Sequence, residues 1–134
     1  MRAANILIVE DHASSRALVE WVLTTFGHCV MTTANGREAL ERAGGQTPDL
    51  VLIDLRMPGM NGCELATHLR SMRALRDVPM IAVTALHDKD QRNEAMRCGF
   101  DGYIEKPIDP ERFVPEVEAF LPPSCRLSSV QFPR

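Results

Sequence analysis

The sequence predicts an α/β domain, a five-stranded parallel sheet with five helices packed on its two faces. Three observations lead there. Five short apolar runs, 6–9, 29–33, 50–53, 80–83 and 103–104, alternate with five segments of helical spacing. The runs at 6–9 and 50–53 are continuously apolar rather than alternating, which suits strands buried on both faces. No hairpin turn signal joins one run to the next, so each strand must return by a right-handed crossover and lie parallel to its neighbour.

Each element has its own local signals. Ile6 to Val9 forms the first strand and ends in Glu10-Asp11. Leu18, Val19, Val22, Leu23 and Phe26 then recur at helical spacing, with Ser14 as the expected N-cap and Gly27 as the stop. Cys29 to Thr33 is the second strand, and Asn35 caps a helix whose inner face carries Ala39, Leu40 and Ala43 before Gly44-Gly45. Leu50 to Ile53 is the third strand and runs straight into Asp54, an acid that a buried strand tolerates only at its end. Pro58, Gly59 and Gly62 force a tight loop before Leu65, Leu69 and Met72 mark a third helix from about Asn61 to Arg73.

The second half repeats the pattern. Met80 to Val83 ends in Thr84-Ala85, Asp88 begins a polar helix that stops at Gly99, and Tyr103-Ile104 is a short last strand tipped by Lys106-Pro107. Asp109-Pro110 pairs an N-cap with proline at the first helical position, and Phe113, Val117, Phe120 and Leu121 form the buried stripe of the last helix. Pro115 lies several residues inside that start. It removes an intrahelical donor, so the helix is expected to bend or to begin with a distorted turn. Residues 122–134 mix Pro, Ser and Arg without a period and read as an irregular tail outside a domain spanning 1–121.

Bulk properties narrow the function. A chain of 134 residues with 45% hydrophobic and 25% charged residues holds one ordinary globular core. A net charge of -3, without a clustered basic surface, argues against nucleic acid as a partner. No apolar run approaches the ~20 residues a membrane span needs, and Met1 to Asn5 is too short for a signal peptide, so a reducing cytoplasm is expected. Cys29, Cys63, Cys98 and Cys125 show neither zinc nor redox spacing and are expected to be buried small hydrophobes. His12, His28, His68 and His87 are expected at the surface.

In a doubly wound sheet all strand C-termini share one edge, which brings Glu10, Asp11, Asp54, Thr84 and Lys106 together from distant parts of the chain. Carboxylates gathered there repel unless a cation neutralises them, and an all-oxygen set with open positions suits Mg2+.

With these residues in these places, the sequence resembles the receiver domain of two-component response regulators from Asn5 to about Leu121. The resemblance implies a flavodoxin-like sheet of strand order 2-1-3-4-5. It implies that Asp54, within Asp-Leu-Arg-Met-Pro-Gly-Met-Asn-Gly, accepts a phosphoryl group from the phosphohistidine of a sensor histidine kinase or a histidine phosphotransferase. Asp11, Asp54 and the main-chain carbonyl of Arg56 would hold Mg2+, with Glu10 acting through water. Thr84, its small neighbour Ala85, and Lys106 would bind the phosphoryl oxygens. Tyr103 would be the switch aromatic, and the Lys106-Pro107 peptide would be cis. The signal would leave through the face of the fourth helix, fifth strand and fifth helix, toward a downstream protein. Arg56 and Leu86 stand where the family tunes hydrolysis; neither orients an attacking water, so the phosphorylated state is expected to persist.

Two other classes fit less well. A phosphatase of the haloacid dehalogenase type would want a second Asp two residues after Asp54, where Arg56 stands. A flavodoxin-like electron carrier would want a Ser/Thr/Gly-rich cradle after the first strand, where two acids stand and would repel the flavin phosphate. A receiver belonging to a hybrid kinase or multidomain regulator would share the features read here, although the initial Met and short tail favour an independent protein.

Overall fold

The computed structural model describes residues 3–85, 87–122 and 125. Five strands, β1 (Asn5–Val9), β2 (Cys29–Thr33), β3 (Leu50–Asp54), β4 (Met80–Thr84) and β5 (Gly102–Glu105), form one sheet in the order β2-β1-β3-β4-β5. Every neighbouring pair is parallel. The helices are α1 (Ala13–Thr25), α2 (Gly36–Gly45), α3 (Gly62–Ser71), α4 (Lys89–Arg97) and α5 (Pro110–Glu118), with a 3-10 turn at Arg73–Leu75 after α3. The fold is the predicted flavodoxin-like one.

Because strand side chains alternate between faces, the sheet builds two cores. Leu7, Val9, Val51, Ile53 and Ala82 point to one side, against Ala39 and Ala43 of α2, Leu65 and Leu69 of α3, and Ala95 of α4. Ile6, Ile8, Leu52, Ile81 and Ile104 point to the other, against Val19, Val22 and Leu23 of α1 and Phe113, Val114 and Val117 of α5. A fully buried leucine such as Leu69 contributes about 1.5 to 3 kcal/mol by leaving water. Truncating one to alanine would cost about 2 to 5 kcal/mol once the cavity is included.

The helix starts follow the sequence signals except at α1. Asn35, Asp88 and Asp109 accept from backbone amides of their first turns, and Asn61 with Glu64 makes a full capping box. At α1 the N-cap is His12, with no side-chain cap bond, and Ser14 lies inside the first turn. The loop is set instead by Glu10, whose Oε2 accepts from the His12 amide at 3.2 Å. Gly62 permits the close approach of α3 to the end of β3, since a Cβ there would lie 2.9 Å from Leu55 Cα and 3.1 Å from the Asp54 carbonyl oxygen.

α5 runs without interruption through Pro115. The carbonyl that loses its donor is that of Glu111, at an exposed position in the first turn, while Phe113, Val114 and Val117 hold the helix against the sheet. The helix ends at Glu118, and Phe120 is only partly buried.

Two expectations about single residue types need correction. His28 is not at the surface: its Nε2 lies 2.6 Å from Glu118 Oε2 with both side chains buried, and its Nδ1 accepts from the Ala4 amide at 3.1 Å. The partner is ninety residues away in sequence, and no local pattern announces it. His12, His68 and His87 are exposed as expected. The cysteines are not uniformly buried either: Cys29 is exposed, Cys125 is buried, and Cys63 is joined to Cys98 in a disulfide between α3 and the end of α4. The tail beyond Pro122, apart from Cys125, lies outside the described residues.

Candidate functional site

The sheet delivers four polar side chains to one edge. Glu10 follows β1, Asp54 ends β3, Thr84 ends β4 and Lys106 follows β5. Lys106 Nζ sits 3.0 Å from Glu10 Oε1 and 3.4 Å from Asp54 Oδ2. The Lys106-Pro107 peptide is cis, as expected, and the Lys106 amide donates to the Thr84 carbonyl at 2.8 Å. Arg56 N donates to Asp54 Oδ1 at 3.2 Å, which fixes the carboxylate where the β3–α3 loop begins.

The electrostatics follow from this packing. Burial pushes the Asp54 carboxyl up from its ordinary 3.8 to about 6, assisted by the hydrogen bond and the charge of Glu10, and only partly countered by Lys106. Glu10 is also pushed up by burial, but its hydrogen bonds with Asp54 and Lys106 outweigh that and hold it below the usual range. Burial works against the Lys106 ammonium, yet the bond to Glu10 and the charge of Asp54 raise it above the ordinary lysine value. One cation thus serves two carboxylates, and Asp54 is the one left short.

Thr84 is 1% exposed, and its Oγ1 has no hydrogen-bond partner among the described residues. A buried hydroxyl without a partner costs about 1 to 3 kcal/mol, so the position is one that an added acceptor would satisfy. Ala85 follows, its amide donating to Gln91 Oε1 at 2.9 Å, while the His87 amide donates to Glu105 Oε2 at 2.9 Å. These bonds tether the β4–α4 loop to α4 and β5.

Asp11 stands beside the site: oxygens of Glu10 and Asp11 and a ring nitrogen of His12 lie within 4.8 Å of one another. That grouping takes in His12 and leaves out Asp54, whereas the expected ligand set joined Asp11 to Asp54 and the Arg56 carbonyl. The carboxylates nevertheless suit a hard cation, being all-oxygen and, at Asp54, undercompensated. Tyr103 faces outward, 37% exposed, with the Arg92 guanidinium 5.8 Å from its ring centre. The Arg56 guanidinium pairs with Glu94 Oε1 of α4 at 3.3 Å. Leu86 lies outside the described residues.

Several contributors carry no sequence signal. Arg16 donates to the Glu10 carbonyl at 2.8 Å and so holds the acidic loop from α1. Gln91 and Glu94 look like ordinary polar positions of a polar helix, and only the assembled loops reveal their partners. A cavity of about 400 Å³ also opens beside Glu10, Asp54 and Lys106, walled by Leu18, Val83 and Phe113.

The family model described as the response regulator receiver domain matches residues 6–118. The chain belongs to the response regulator receiver family. Among curated relatives, this receiver is 34% identical over 117 residues to the polar-differentiation response regulator DivK of Brucella anthropi, covering 87% of this chain and 95% of the relative. Among solved structures it is similar to the chemotaxis protein CheY4 of Vibrio cholerae, with a TM-score of 0.84 and 30% identity over 90% of this chain and all of the other. It is also similar to the receiver domain of a sensor histidine kinase from Pseudomonas aeruginosa, which has a magnesium ion coordinated in its active-site cleft. There the TM-score is 0.81 and the identity 28%, covering 89% of this chain and 98% of the other. This receiver is a response regulator module of two-component signalling, and no helix among its described residues is long and apolar enough to cross a membrane.

Proposed function

We propose that the chain is a phosphorylation-controlled binding module in which Asp54 accepts a phosphoryl group from the phosphohistidine of a sensor histidine kinase or histidine phosphotransferase. The observation that carries this is the undercompensated Asp54 carboxylate, raised to about 6, within reach of a lysine and near a buried hydroxyl that lacks a partner. Such a carboxylate is largely ionised at neutral pH and therefore nucleophilic. An Asp54 oxygen forms a bond to phosphorus as the donor's nitrogen–phosphorus bond breaks, releasing the imidazole.

The neighbouring residues have distinct parts in this reading. Arg56 N holds one Asp54 oxygen, and Lys106 offers its ammonium to an oxygen of the arriving group. Thr84 Oγ1 gains in that group the acceptor it lacks. Ala85 leaves room for it. Glu10, Asp11, Asp54 and the Arg56 carbonyl would hold Mg2+, which when bound supplies positive charge that offsets the carboxylates and the phosphoryl oxygens.

Output would follow from Thr84 moving toward the phosphoryl oxygens and Tyr103 turning inward, so that the face of α4, β5 and α5 changes shape for a downstream protein. That face already exposes Tyr103 and Met96 at 37% and 57%. The module would be consumed and reset rather than turn over substrate, and it would work in the cytoplasm, with residues 1–121 as the functional unit and 122–134 as an appendage. The test is incubation with acetyl phosphate, with and without Mg2+, followed by intact mass and NMR. Mg2+-dependent gain of one phosphoryl group, lost in Asp54→Asn, is expected, with shifts confined largely to residues 84–105. Phosphate on another residue, or no shift in that segment, would overturn it.

A further inference from the structure

We propose that Cys63 and Cys98 form a reversible thiol–disulfide site that, when closed, fastens the end of α4 to the start of α3 and so restrains the face through which the module signals. The effect on signalling presupposes the phosphorylation-driven change proposed above; the redox chemistry itself does not.

The placement of the pair is the basis. Cys63 lies in the first turn of α3 and Cys98 is the C-cap of α4, with Cα atoms 5.6 Å apart, inside the range a disulfide spans. Both are only partly buried against the core, so a small thiol or disulfide can reach them. In the closed form Cys63 Sγ lies 3.7 Å from Glu94 Oε2, which sets the pair beside the polar side of α4.

α4 is the helix for which such a tie matters most. It is polar and nine residues long, and buries only Gln91 and Ala95. A further polar tie to the β3–α3 segment is the Arg56–Glu94 ion pair, with the Arg56 side chain 58% exposed, worth no more than about 1 kcal/mol. Glu94 and Cys98 are one helical turn apart, so ion pair and disulfide secure the same side of α4. In a reducing compartment the pair would stand open as two thiols.

Closure needs an oxidant, and a low-molecular-weight disulfide such as oxidised glutathione suffices. One cysteine thiolate attacks the small disulfide, forming a mixed disulfide and releasing one small thiol. The second cysteine then attacks the protein-side sulfur, forming the Cys63–Cys98 bond and releasing the second. Two electrons pass to the oxidant, and the two cysteine protons end on the two released thiols.

The full chain should be equilibrated over a series of reduced-to-oxidised glutathione ratios, then alkylated, mapped by peptide mass and followed by amide hydrogen exchange. The expected result is a Cys63–Cys98 crosslink that forms and reopens with the ratio, is lost in Cys63→Ser and in Cys98→Ser, and slows exchange in α4 by about tenfold or more. Reduced wild type serves beside the variants, so a folding defect in a serine variant does not decide the matter. Lasting glutathione adducts without the crosslink, pairing with Cys29 or Cys125 instead, or closure that leaves α4 exchange unchanged would each overturn the proposal. Acetyl phosphate added to both forms separates the two claims. Damped α4 shifts in the oxidised form are expected, and equal shifts would remove the effect on signalling. Absence of phosphate uptake in both forms would refute the phosphoacceptor reading while the mapped crosslink and exchange still decide the redox site.

Discussion

Replacing Asp54 by Asn should make the protein more stable at neutral pH. The rise of the Asp54 carboxyl from 3.8 to about 6 corresponds to about 3 kcal/mol against the charged form. The site opens to solvent, so screening reduces this to about 1 to 2 kcal/mol. The sign follows from proton linkage: the folded state holds the Asp54 proton more tightly than the unfolded chain does. Wild type therefore loses stability as pH climbs from about 4 to about 6, and the loss is complete above that. The asparagine amide would not titrate, and the Glu10–Lys106 pair at 3.0 Å would survive the substitution. With about 2.1 cal/mol/K per residue of unfolding entropy over 134 residues, the gain amounts to about 4 to 7 °C in Tm. Thermal and urea unfolding without Mg2+, from pH 3.5 to 8, measure it. An Asp54→Asn protein no more stable than wild type at pH 7.5, or equally more stable at every pH, would show that the buried Asp54 charge does not destabilise the fold.

Other substitutions probe the remaining contacts. Thr84→Val should stabilise by about 1 kcal/mol because it removes a buried hydroxyl without a partner, while phosphate uptake persists and the shifts around residues 88–103 vanish; urea unfolding and NMR check both. Glu118→Ala should cost about 1 to 3 kcal/mol by removing the buried hydrogen-bond partner of His28, against less than about 0.5 kcal/mol for Glu116→Ala at an exposed position, as read by the same unfolding assay. Arg56→Asn combined with Leu86→Glu should shorten the phosphoprotein half-life, because these side chains can orient water; equal or slower decay would count against the assigned roles.

The sheet was legible because a strand buried on both faces has little freedom in composition. The runs ending at Val9, Asp54 and Thr84 could only be parallel strands once helical segments separated them. The site was legible for the same reason, since parallel strands bring their ends to one edge. What stayed hidden depends on contacts between distant segments. His28 follows a helix-stopping glycine and resembles a surface residue until Glu118 packs over it from α5. Cys63 and Cys98 have no motif spacing because two crossovers bring them together rather than one turn. Ser14 was a reasonable cap for α1, but Glu10 reaches the amide of His12 and starts the helix earlier. At Pro115 the helix continues, with Val114 and Val117 fully buried against the sheet, and its first turn carries a tighter bond from the Arg112 amide to the Asp109 carbonyl at 3.1 Å.

An acyl phosphate on Asp54 can be trapped chemically. Borohydride reduces an aspartyl phosphate to homoserine, and peptide mapping then reports the position. After incubation with acetyl phosphate and Mg2+, homoserine is predicted at position 54 alone, and none when the metal is chelated. Homoserine arising at position 11, its glutamate-derived counterpart arising at position 10, or an unmodified Asp54 under conditions that load phosphate elsewhere would exclude Asp54 as the phosphoacceptor.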